Sequence, residues 1–178
     1  MTERLRTRDR AASVVLAVGI AAALAACSGA DDDPTDDPSP AADAVPAADA
    51  ARQDLLAAVQ DVFGPDGWTE DDAPTATPQP DGRCVVALPD VRTTRDGTTS
   101  YDQLEEVPAA LAPVLAEHGF GEPSDVVHPE HGGSAYVEAE DPTGWSVTVT
   151  ADGDVVRLDV SGPVALDPCD DSGLSALG

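Results

Sequence analysis

Between Ser134 and Val160 the side chains alternate. Ala135, Val137 and Ala139 fall opposite Tyr136, Glu138 and Glu140; Trp145, Val147 and Val149 oppose Ser146, Thr148 and Thr150; Val156, Leu158 and Val160 oppose Arg157 and Asp159. A period of two marks strands with one buried face. The interruptions are turn sequences, Asp141-Pro142-Thr143-Gly144 and Asp152-Gly153, the second a strong two-residue hairpin signal. An antiparallel meander with a single apolar face follows, and that face must be covered by another layer.

The segment upstream supplies the cover. Leu55, Leu56, Val59, Val62 and Phe63 recur at helical spacing, which predicts a helix from about Ala47 to Phe63, ended by Gly64-Pro65. Arg52, Gln53, Asp54, Gln60 and Asp61 fall elsewhere on the wheel. Trp68 is expected to fold back as a plug near the helix end, and residues 69–82 read as a Pro- and Asp-rich loop. Arg83–Leu88 is a short β-type run stopped by Pro89-Asp90. Ser100 and Gln103 fit a capping box for a second helix with Leu104, Val107, Leu111, Val114, Leu115 and His118 on its buried face. Pro108 and Pro113 require that this helix be entered at Val107–Pro108 or kinked within. Gly119 suits the residue after its C-cap, with Phe120 packing back on Leu115. Ser124–His128 is a further short strand candidate. The expectation is an α+β domain of two layers over 48–169, two helices packed on one face of a roughly four-stranded, mainly antiparallel sheet, with a disordered tail at 170–178.

The first 26 residues have a different purpose. Arg4, Arg6, Arg8 and Arg10 form a net basic start, and no charge or proline interrupts Ala11 to Ala26. That is a secretory signal, shorter than the roughly 20 residues of a membrane span. The apolar run closes on Leu24-Ala25-Ala26-Cys27, which resembles the lipobox of bacterial lipoproteins. The resemblance implies that 1–26 is a lipoprotein signal peptide, that the Cys27 sulfur is alkylated by a diacylglycerol, and that Cys27 becomes the first mature residue. An ordinary signal cut at Ala23-Leu24-Ala25, with Cys27 incidental, is the competing reading. Two acyl chains hold a protein stably on a membrane without a spanning helix. The layout is similar to that of small lipoproteins of high-GC Gram-positive bacteria. Residues 27–47, rich in Asp, Pro and Ala, then read as an acidic disordered tether. Asp31–Asp37 lacks the glycine turn and closing glutamate of an EF-hand calcium loop.

Charge narrows the function. The chain has 178 residues, 34 acids and 9 bases, for a formal net charge of −25; all nine bases are arginine, and asparagine is absent. Removing residues 1–26, with four arginines and two acids, leaves 5 − 32 = −27. No nucleic acid is expected to bind such a surface, and without lysine there is neither a Walker-A lysine nor a Schiff base. With Cys27 lipidated, Cys84 and Cys169 remain as an even pair, which in an exported chain favours a structural disulfide.

Few residues suggest chemistry. His128-Pro129-Glu130-His131 puts two imidazoles and a carboxylate, His128, Glu130 and His131, at a spacing that can chelate zinc, although Pro129 and Gly132-Gly133 place it in a loop. A metal-dependent hydrolytic or metal-binding protein is therefore the alternative function, against a solvated polar loop. His118 reads as a packed or dipole-stabilising residue. No G-x-S-x-G elbow exists. Tyr136 and Trp145 form a candidate ligand platform. No catalytic residue and no cofactor is indicated. The leading expectation is a non-enzymatic binding or structural module of the cell envelope, lipid-anchored to the membrane and facing outside the cytoplasm, its ligand unidentified. A third reading is an acidic inhibitor or chaperone-like partner of a basic envelope protein.

Overall fold

A computed structural model describes residues 37–70, 73–95, 97–130 and 132–176; Cys27, the signal segment and residues 28–36 lie outside them. The element order is α1 (Ala41–Phe63), β1 (Thr69–Glu70), β2 (Thr75–Pro78), β3 (Cys84–Ala87), β4 (Val91–Thr94), α2 (Gly97–Leu104), α3 (Val107–Glu117), β5 (Ala135–Glu140), β6 (Ser146–Asp152), β7 (Val155–Val164) and α4 (Asp171–Ser175). All strands belong to one sheet and all their pairings are antiparallel. The α+β class expected from the alternation is the class observed.

β5, β6 and β7 form the meander in sequential order, with Val137 opposite Val149 and Val149 opposite Leu158. On the far side of β7, β3 and β4 share its length, β2 lying outside β3 and β1 outside β4. Ala87 faces Ser161 and Val91 faces Leu158. Three residues, Leu88 to Asp90, therefore oppose two on β7, Asp159 and Val160, so β3 and β4 are one strand broken by a bulge. The Leu88 amide still donates to the Val160 carbonyl at 2.9 Å.

One face of the sheet is covered by α1, α2 and α3, which bury Leu55, Val59, Leu104, Leu111 and Leu115 against Val86, Val137, Val147, Val149 and Leu158. The other face carries Thr148, Thr150, Arg157 and Asp159 and is half-buried to exposed.

Several boundaries differ from the sequence expectation. There are seven strands among the described residues, not about four, and four helices, not two. The 69–82 loop contains β1 and β2, and Pro89-Asp90 bulges the strand without stopping it. Both are margins whose short segments have no periodicity to read; pairing to β3, β4 and β7 makes them strands. Ser124–His128 makes one bridge, Val127 to Tyr136, plus backbone bonds along β5, and is not a strand of its own. α1 begins at Ala41, inside the stretch assigned to the tether, because the segment ahead of it pairs with the end of β7: the Ala41 amide donates to Ala165 and the Ala165 amide to Ser39. α4 occupies part of the supposed tail.

The second helix is entered at Val107–Pro108: α2 and α3 are separate, with Pro108 in the first turn of α3, where no N–H is needed. Ser100 is not a cap. It is buried within α2 and its hydroxyl donates to the Gly153 carbonyl at 2.7 Å, while Gln103 donates to Val62. α3 ends as expected, with Gly119 at φ +80° and the Phe120 amide donating to Leu115.

Cys84 and Cys169 are disulfide-bonded across 85 residues, joining the start of β3 to the segment ahead of α4. α4 is then capped by Asp170, whose carboxylate accepts from the Ser172 and Gly173 amides. The Ser172 hydroxyl and the Gly173 amide hold the Asp170 carboxyl below its ordinary range. Asp171 accepts from the Ala76 amide of β2 at 3.1 Å, and Pro78 has no amide to offer. The outer edge of β2 is thereby blunted against further strand pairing.

Candidate functional site

The bulge between β3 and β4 borders one of the clefts among the described residues. A groove of about 470 Å³ lies there, within the range of small-ligand sites. Its floor is Leu88 and Pro89; α1 supplies Ala42, Val45 and Pro46; Pro74 and Leu174 of α4 complete the apolar part. Pro46 sits inside α1 and has no N–H, so the Ala42 carbonyl has no partner four residues on.

The polar end is an ion triad. Arg52 is only 5 % exposed, although α1 is a surface helix. Its Nε and one terminal nitrogen donate to Asp49 Oδ1 at 3.0 and 2.8 Å, the latter nitrogen also reaches Glu70 at 3.2 Å, and the other donates to the Pro89 carbonyl at 3.3 Å. A buried guanidinium without such partners would be prohibitively costly. The bulge matters here, because it turns the Pro89 carbonyl out of the β ladder and toward α1. Asp49 and Glu70 remain accessible, at 38 % and 50 % side-chain exposure. The lining described carries no hydroxyl, thiol or imidazole; its titratable acids are Asp49 and Glu70, both hydrogen-bonded to Arg52.

Arg52 lies among the buried residues of α1, not elsewhere on the wheel as its charge predicts. It stands four residues after Ala48 and three before Leu55, on the buried stripe of α1. The signal was present: an arginine at core spacing with an acid three residues earlier, Asp49. Glu70 and Pro89 had no such signal, since only β1 and the bulge bring them to Arg52.

The residues singled out from the sequence are dispersed. His128 Nε2 lies 2.9 Å from Glu105 in the turn between α2 and α3, both side chains exposed. Glu130 is exposed nearby, and His131 lies outside the described residues. Among the described residues, no three His, Cys, Asp or Glu side chains are grouped as a metal site. Trp145 is 5 % exposed on the helix-covered face, its ring packed on Gly162; its edge lines a smaller cleft of about 210 Å³ with Ala48, His118 and Phe120. Tyr136, one strand position out of phase with the buried residues of β5, stands on the other face. The two rings therefore do not share a surface. His118 pairs with Asp54 of α1 at 2.9 Å, fastening α3 to α1.

Arginine is used internally elsewhere too. Arg95 donates to the carbonyls of Phe63, Gly64 and Asp66, closing the C-terminal end of α1, and sits 6.0 Å from the Trp68 ring centroid. Trp68 itself donates to Gly64 at 2.8 Å, the expected plug at the helix end. Arg157 pairs with Asp90 at 3.1 Å across the outer face beside Asp159, whose carboxyl is raised above its ordinary range by burial.

No protein-family model matches this chain. Comparison with curated proteins found no significant match. Among solved structures, the crystal structure of a DUF4853 family protein from Actinomyces odontolyticus aligns with 71 % of this chain and 71 % of its own at 10 % identity, with a TM-score of 0.42.

Proposed function

We propose that this protein is a lipid-anchored, extracytoplasmic binding module that holds a small, partly apolar ligand in the groove beside the β3–β4 bulge and carries out no reaction there. The groove carries the proposal: about 470 Å³, mostly apolar walls, one charged end, and no hydroxyl, thiol or imidazole among its described lining residues. Export is supported by the basic and apolar N-terminus and by the Leu24-Ala25-Ala26-Cys27 box. The Cys84–Cys169 bond suits an oxidising compartment. No helix among the described residues is long and apolar enough to cross a membrane; the anchor in this reading is the acylated Cys27.

Two measurements test it. Cys27→Ser should move the protein from the membrane fraction to the culture fluid, and mass spectrometry of the native protein should find a diacylglyceryl group on Cys27. An unmodified Cys27 sulfur removes the anchoring. For the groove, native mass spectrometry should find a co-purifying small molecule that is lost when Ala42→Phe fills the exposed rim. Retention of that molecule in the variant would place it elsewhere.

A further inference from the structure

Resting on that binding site, we infer that its ligand is an organic cation: a short apolar body ending in an ammonium or guanidinium group. The triad holds one positive and two negative side chains, so the polar end of the groove carries excess negative charge. Its hydrogen-bonding capacity is equally one-sided. All three nitrogens of Arg52 are engaged within the domain, by Asp49, Glu70 and Pro89, leaving little for an anionic headgroup. What is left over is acceptors. Glu70 uses Oε1 on Arg52 and, among the described residues, its second oxygen has no hydrogen bond; Glu70 is also half exposed at the groove.

A carboxylate or phosphate headgroup entering here would compete with Asp49 and Glu70 for a buried guanidinium and would meet their repulsion. An ammonium group meets the open Glu70 oxygen and the negative charge of Asp49, whose Oδ2 already accepts from Gln53 at 2.8 Å, while Val45, Pro46, Leu88 and Leu174 accept its hydrocarbon. The surrounding domain reinforces the preference, since its excess of acids attracts cations to the groove mouth.

The test compares three probes of one chain length, octylammonium, octanoate and octanol, by isothermal titration on the complete mature chain carrying Cys27→Ser. Octylammonium should bind at least about tenfold tighter than octanoate, the gap narrowing in high salt. Glu70→Gln should weaken octylammonium roughly fivefold and leave octanol unchanged. Ala42→Phe should weaken octylammonium and octanol alike. Equal or tighter binding of octanoate, or parity of octylammonium and octanol, overturns the cation assignment and leaves the groove as a binding site. Failure of all three to bind, or binding that Ala42→Phe does not disturb, overturns the site itself.

Discussion

The meander of β5, β6 and β7 and the margin formed by β1, β2, the bulge and α4 belong to one sheet and are held by different forces. The meander is fastened by long ladders and by a continuous apolar face under α1, α2 and α3. At the margin the strands are two to four residues long. There a disulfide, a buried arginine and a capped one-turn helix replace hydrophobic area. Such a margin can accommodate a hollow, because its integrity does not depend on close packing at every point.

Removing the disulfide tests the contrast most severely. Cys84→Ser with Cys169→Ser releases a constraint across 85 residues and should cost up to about 4–5 kcal/mol, less where the unfolded chain retains structure. Native-state hydrogen exchange should show the amides of β2 and α4 losing protection well before those of β6 and β7. Uniform loss would mean the two regions are a single cooperative unit.

A glycine tests the packed side. An added Cβ at Gly162 would overlap Trp145 Cγ and Cδ2, the root of the indole, which cannot swing aside. Gly162→Ala should destabilise the whole domain by about 1–3 kcal/mol in denaturant titration, moving the amides of both regions together.

Replacing Arg52 by Met keeps the volume and removes the charge. The loss should be about 1–2 kcal/mol, modest because Asp49 and Glu70 can turn to water, and confined in hydrogen exchange to β1 and the bulge.

Two carboxyls give smaller effects of opposite sign. The folded value of Asp170 lies below its unfolded one, so its contribution is present above the unfolded value and lost as pH falls through the folded value. In mild acid α4 should fray first, and Asp170→Ala should abolish that pH dependence in exchange measurements on the α4 amides. Asp159 is raised by burial, so it favours the folded state less as pH rises from the unfolded value to the folded one. Asp159→Asn should therefore raise the melting temperature slightly at neutral pH and leave it unchanged well below the ordinary carboxylate range.

Legibility followed the same division. β5 to β7 could be read because alternation over six or more residues has one physical explanation, a half-buried strand. The 69–82 segment could not, since Thr69-Glu70 and Thr75–Pro78 are strands only by virtue of the neighbours they pair with. Ser100 and Gln103 show the converse. A capping pattern was present, but a buried hydroxyl facing Gly153 was the more useful position for Ser100. Arg52 was legible and misplaced: its spacing from Ala48 and Leu55 outweighed its charge once Asp49, Glu70 and Pro89 surrounded it.

What the sequence by itself determined is the α+β class, the order of helix before meander and the cysteine pair, because periodicity, turn residues and cysteine number are local or countable properties. The groove was decided only by the tertiary structure. It needs a bulge that turns Pro89 toward α1, a β1 that delivers Glu70, and a disulfide-held α4 that brings Leu174. Each is a meeting of segments far apart in the chain, and the side chains at any one of them carry no mark of the others.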